Sequence, residues 1–139
     1  MQDVYENRAR FAETDQQGVV FYGEYATFQD EAFNGYLRAI DYGYDDMRAD
    51  GWDVHVVNLE LDFRSPARFG DVMHHGYRVE RIGESSIESR SRARLEDGTV
   101  LAEGTVTHVA VDESGEPTRV PEVFREAVRA FQDEPPEEA

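Results

Sequence analysis

The chain has 139 residues and no cysteine, and it sets 30 acidic side chains against 14 basic ones, all of them arginine, for a net charge of −16. That length is a single domain able to bury its own core. The missing cysteines exclude disulfides, thiolate nucleophiles and thiolate metal sites, and the charge disfavours nucleic acid and anionic membranes as partners. No apolar run approaches the roughly 18 residues of a bilayer span. The opening MQDVYENRARF has no apolar signal region, so a cytoplasmic protein is expected. An acid excess without any lysine fits an ordinary acidic bacterial protein, but it more closely resembles the composition of proteins from salt-accumulating (haloarchaeal-type, halophilic) cytoplasms. Molar salt there shortens the Debye length to about 3 Å and removes most of the self-repulsion.

Val4 to Phe11 reads as a first strand, followed by a polar turn over Glu13–Gly18. From Gly23 to about Ile40, apolar residues at Tyr25, Phe28, Ala32 and Tyr36 recur every three or four positions, which predicts a long helix with one buried stripe. Asp41-Tyr42-Gly43 ends it, and Tyr44–Asp50 predicts a short helix closed by Gly51. Val57, Leu59, Leu61 and Phe63 alternate with polar residues as in a half-buried strand, until Ser65-Pro66 interrupts the run. Strands are predicted over His75–Ile82, Ser86–Glu96 and Thr99–Asp112. The last two are joined by Asp97-Gly98, a strong hairpin signal. Pro121–Phe131 predicts a closing helix, and the acidic, proline-containing tail 132–139 is expected to be disordered. The sum is one α+β domain over 1–131, with an antiparallel sheet of five or six strands wrapped around the stripe of one long helix. Its open sheet edges point to a homodimer.

Several residues draw attention on chemical grounds. Asp15 stands in a turn just before a helix start, where free backbone N–H groups carry partial positive charge. It reads either as a catalytic carboxylate or as an ordinary capping acid. Gly18 and Gly23 allow tight turning and close approach of backbone to a ligand. Phe21, Tyr25, Phe28, Phe33 and Trp52 can line a pocket or fill the core. His74 and His75 are neighbours on a strand and point to opposite faces, so no metal site is expected. Arg90, Arg92 and Arg94 form a stripe, readable as a phosphate anchor or as cross-strand partners of Glu80, Glu88 and Glu103.

The block Ala12-Glu13-Thr14-Asp15-x-x-Gly18-x-Val20-x-x-x-x-Tyr25 resembles the signature of hotdog-fold acyl-CoA thioesterases of the 4-hydroxybenzoyl-CoA thioesterase family. Weaker similarity continues through Asp30-Glu31-Ala32-x-x-x-Tyr36-Leu37, Asp62-Phe63-x-x-Pro66-Ala67-x-x-Gly70-Asp71 and Arg81-Ile82-Gly83-x-Ser85-Ser86. The resemblance implies a hotdog fold, a homodimer often paired into a homotetramer, and active sites at the subunit interface. It implies hydrolysis of an acyl-CoA to free acid and CoA, with Asp15 as general base or nucleophile and no cofactor beyond the CoA of the substrate. The backbone N–H groups of Tyr22 and Gly23 would form the oxyanion hole. Glu31 is the fallback acid, by analogy with another hotdog branch. Asn58 is a candidate for reaching a dimer-related site, and Gly83, Ser85 and Ser86 for holding the CoA moiety. Tyr22 stands where many relatives have histidine. The rival readings are a hotdog hydratase or dehydratase, and an acyl-CoA-binding protein without turnover.

Overall fold

The computed structural model describes residues 1–139. In chain order the elements are β1 (Gln2–Arg8), α1 (Glu24–Ala39), α2 (Tyr44–Ala49), β2 (Trp52–Phe63), β3 (Val72–Ile82), β4 (Ser86–Leu95), β5 (Val100–Asp112), α3 (Glu122–Phe131) and β6 (Glu137–Glu138). The five long strands lie in the order β1-β3-β4-β5-β2, each antiparallel to its neighbour. In place of one long helix there are three: α1, of 16 residues, and two shorter ones.

Directly opposed strand residues share a face. One such row runs His75, Ala93, Ala102, Phe63, and the next runs Tyr77, Ser91, Gly104, Leu61. This is the face that receives α1. The helix buries Tyr25, Phe28, Ala32 and Tyr36 on it, as predicted by spacing, and with them Phe33 and Leu37. Gln29 falls in the same stripe and stays satisfied because its amide donates to the Ser91 hydroxyl at 2.7 Å. At Gly35 the helix touches β1 so closely that an added Cβ would lie 2.1 Å from the Val4 carbonyl oxygen. Backbone cannot yield as a flexible side chain does, so Gly35→Ala should cost about 2 kcal/mol. Urea unfolding of the variant checks it.

Two expectations fail at the ends of the chain. The first strand stops at Arg8 and not at Phe11, because the Ala9 N–H and carbonyl are taken by the Gly70–Asp71 turn, at 2.8 Å each. Phe11–Glu13 then winds as a 3-10 turn. The tail 132–139 is not free: it fills an edge. β3 runs five residues beyond the last residue paired with β1, which leaves its backbone groups from Arg78 to Ile82 in need of partners. Gln132 supplies both kinds: its Oε1 accepts from the Val79 N–H at 2.7 Å, and its Nε2 donates to the Val79 carbonyl at 3.0 Å. β6 then pairs with Arg81 and Ile82 in parallel, the one parallel contact in a sheet expected to be antiparallel throughout.

Candidate functional site

The loop between β1 and α1 is stitched together residue by residue. The Glu13 carboxylate is buried and accepts from the Arg10 backbone N–H at 2.8 Å and from its guanidinium at 3.1 Å. Thr14 pairs with Val20, and the Asp15 N–H donates to the Val19 carbonyl at 2.9 Å. The turn closes when the Gly18 N–H reaches the Asp15 carbonyl at 3.0 Å, with Gly18 in the left-handed region at φ 79° where glycine is favoured. The Asp15 carboxylate reinforces that turn by accepting from the Gln17 N–H at 2.9 Å through Oδ1 alone. The half-buried Asp15 thus keeps Oδ2 free of hydrogen bonds to the chain.

The loop is tied sideways as well. Val20 donates to the Ala67 carbonyl at 2.8 Å, Val19 bridges Arg68, and the Phe21 N–H returns to the Glu13 carbonyl at 2.9 Å. The chain then turns into α1. The N–H groups of Tyr22 and Gly23 find no acceptor, nor does that of Ala26 one turn on, whereas Glu24 and Tyr25 donate to Phe21 and Tyr22. Two unpaired amides at the start of a 16-residue helix carry the positive end of its dipole. The Phe21 ring folds back over Gly23, where a Cβ would sit 2.6 Å from it, so a larger residue there would have to push the exposed ring aside. The rings of Phe21, Tyr22 and Phe63 follow one another at 4.6 and 6.4 Å and wall one side.

Other predicted site residues lie elsewhere. Glu31 is half-buried on α1, eight residues past Gly23 and so about 12 Å along the helix. It faces Tyr5, whose phenol is pushed up first by burial and then by Glu31. Asn58 is exposed beside Thr107 and Glu88, in the row with Arg81 on the sheet face away from α1. Tyr25 is core, packed with Phe28 and Ala67. Gly83, Ser85 and Ser86 form the turn at the far end of β3, whose 11 residues span about 35 Å. That turn is braced from behind by the buried Arg125, which donates to the Gly83 carbonyl at 2.7 Å. Within one chain it is not brought to Asp15. The arginine stripe is committed to cross-strand pairs, Arg90 with Glu80 and Arg92 with Glu103, both at 3.0 Å, and Arg94 with Asp3. Glu88 pairs instead with Arg81, at 3.6 Å. His74 lies on the outer face against Glu6 and Glu96, whereas His75 is buried on the inner face.

Sequence reasoning missed the exposure of Phe63, and it missed Phe11 and Phe69, which meet edge to face at 6.1 Å beside the loop. A phenylalanine in Arg68-Phe69-Gly70-Asp71, with no periodic partner, was the available signal.

A five-strand antiparallel sheet laid on one central helix, with an acid-bearing loop feeding the free amides of that helix, defines the hotdog class of α+β proteins. The Thioesterase-like superfamily pattern matches residues 9–128, and the chain belongs to that superfamily. A crystal structure of the hypothetical protein TT1821 from Thermus thermophilus is 34% identical, with TM-score 0.85 over 94% of this chain and 100% of that one. The acyl-CoA thioester hydrolase YbgC of Escherichia coli O6:H1 is 25% identical over 105 residues, 76% of this chain and 78% of that protein. Slr0204, a 1,4-dihydroxy-2-naphthoyl-CoA thioesterase from Synechocystis, shares the fold at TM-score 0.83 and 20% identity, over 94% of this chain and 97% of its own.

Proposed function

We propose that this chain is a thioester hydrolase that cleaves an acyl-CoA to free acid and CoA, in the manner of the 4-hydroxybenzoyl-CoA thioesterase branch. The observation that carries this reading is the pair of unpartnered N–H groups at Tyr22 and Gly23, in the same stitched loop as Asp15. A thioester carbonyl polarised by those amides develops its negative charge where a preorganised donor is worth about 10²–10³ in rate. Asp15 then either takes a proton from the attacking water or attacks the carbonyl carbon itself. In the second route the acyl–sulfur bond breaks, CoA leaves as the thiolate and takes a proton from solvent, and water hydrolyses the resulting mixed anhydride to the free acid and the regenerated carboxylate. Both amides act through the backbone, so Tyr22 in place of histidine leaves this part of the machinery intact. A hydratase or dehydratase needs an acid–base pair, commonly histidine with a carboxylate, and the Asp15 loop holds no histidine.

The working unit in this reading is a homodimer joined along β2. That strand is an edge of 12 residues, and it exposes Val56, Val57, Leu59 and Phe63. An edge both apolar and unpaired is a template for a second copy, whereas the opposite edge strand, β1, carries the mostly polar run QDVYENR. Pairing there would place a second subunit beside Phe63 and Tyr22, which the family resemblance requires of an interface site.

The test is a thiol-release screen over short, long and aromatic acyl-CoAs at several salt concentrations. We expect turnover of at least one class, rising toward molar salt as screening relieves repulsion between a −16 chain and an anionic substrate. Tight acyl-CoA binding with no thiol released at any salt concentration would instead make the protein a carrier.

A further inference from the structure

Eleven of the fourteen arginines make ion pairs with carboxylates. The three that do not are Arg8, Arg38 and Arg68, and two of these flank one spot. The Arg8 guanidinium donates to the Gly70 carbonyl at 2.8 Å and meets no acid. Arg68 holds its turn through its backbone N–H, bonded to the Asp71 carboxylate at 2.8 Å, and leaves its guanidinium without a partner. Between them in this turn comes Phe69, 65% exposed, edge to face with Phe11, which is 77% exposed. Single exposed apolar residues are ordinary. Two phenylalanines in contact, both mostly in water and bordered by two unpaired cations, form an amphipathic platform.

Charge singles out the same spot. Segments 8–20 and 67–71 together hold three arginines (Arg8, Arg10, Arg68) and three acids (Glu13, Asp15, Asp71), so the entire net charge of −16 resides on the rest of the chain. An anion approaching this protein meets a segment here that is balanced in charge, unlike the rest of the chain. The platform also adjoins the Asp15 loop, since Val19 bridges Arg68 and the Thr14 N–H donates to the Phe11 carbonyl at 3.0 Å.

We propose that Arg8, Arg68, Phe11 and Phe69 bind the nucleotide half of the CoA thioester. The two guanidiniums face its phosphates, and its adenine lies on the phenylalanine pair. The inference rests on the acyl-CoA reading above and sets an anchor beside the Asp15 loop of the same chain, in place of the ion-paired arginine stripe. Guanidinium forks suit phosphate oxygens, and a base stacks on an aromatic ring without needing a sequence of donors and acceptors.

The experiment compares one acyl group on CoA and on N-acetylcysteamine, which carries the thioester but no nucleotide. It uses the full chain and the variants Arg68→Gln, Arg8→Gln, Phe69→Ala and Phe11→Ala. Binding of 3′-phosphoadenosine diphosphate, the free nucleotide half, is measured by calorimetry beside it. In each variant the preference in kcat/KM for acyl-CoA over the truncated thioester should fall about tenfold, with nucleotide affinity falling in step. Unchanged preference in variants that still hydrolyse both substrates overturns the proposal. So does a parent that binds no nucleotide. A phenylalanine variant that changes sedimentation but not preference assigns the platform to contact between copies, and also overturns it. A parent that binds nucleotide through these residues yet hydrolyses neither thioester supports the platform and sinks the hydrolase reading instead.

Discussion

Asp15→Asn should lower kcat for thiol release by at least about a hundredfold, or about 2.7 kcal/mol of transition-state stabilisation. The geometry makes this substitution unusually clean. Asp15 fixes its turn by accepting one N–H, that of Gln17, through Oδ1. An asparagine carbonyl oxygen accepts the same bond, so the loop, the adjoining amides and the melting temperature should all survive. What disappears is the negative charge and the basic or nucleophilic oxygen. A variant within about twofold of the parent would remove Asp15 from the chemistry and return attention to Glu31, on α1 about 12 Å along the helix from Gly23. The two roles of Asp15 separate in heavy-oxygen water under single-turnover conditions, because only the anhydride route can carry label into the protein carboxylate.

The parts of this molecule that could be read from the sequence are those fixed by local spacing. The α1 stripe from Tyr25 to Tyr36 follows a period of three to four whatever surrounds it, and Asp97-Gly98 turns between β4 and β5 because Gly98 takes φ 92°. The Asp15 loop was legible for the same reason: from Arg10 to Tyr25 most of its backbone bonds are to itself. What failed depended on distances between elements. Phe11 continues the alternation of β1, yet the strand ends earlier because Ala9 bonds to a turn some sixty residues on. Composition argued for a loose tail, and nothing in QDEPPEEA reveals that β3 outruns β1 and needs the amide of Gln132. Ser85 and Ser86 match a family block in order along the chain, but β3 carries them to the end of the sheet opposite Asp15. Which phenylalanines stay in water is likewise decided by packing, as Phe28 at 3% and Phe69 at 65% exposure show.

Stability should collapse on mild acidification, and two core histidines are the reason. His75 is buried between Tyr5 and Phe28, with its Nε2 2.6 Å from the Asn7 side-chain oxygen. His108 is stacked on Phe33 with ring centroids 4.3 Å apart, and its Nδ1 has no partner at all. Burial is the leading cause that pushes both down to about 4; for His75 the neighbouring His74 adds to it and Asp3 opposes it. The unfolded chain binds a proton at each near pH 6.5, whereas the folded chain resists until about pH 4. Between those values the unfolded state holds more protons, so stability is full above pH 6.5 and drains away as pH falls toward 4. The loss is about 3 kcal/mol for each histidine, on the scale of the roughly 5–15 kcal/mol that holds a domain together. Urea midpoints measured at fixed molar salt, which mutes carboxylate repulsion, should fall steeply from pH 6.5 to 4.5. His108→Leu removes one of the two proton uptakes and discards a buried nitrogen that bonds to nothing, so it should flatten the slope by about half. A midpoint that stays level across this interval in the parent would mean that the histidines ionise in the fold at no cost, and that the space under α1 is wetter than its packing indicates.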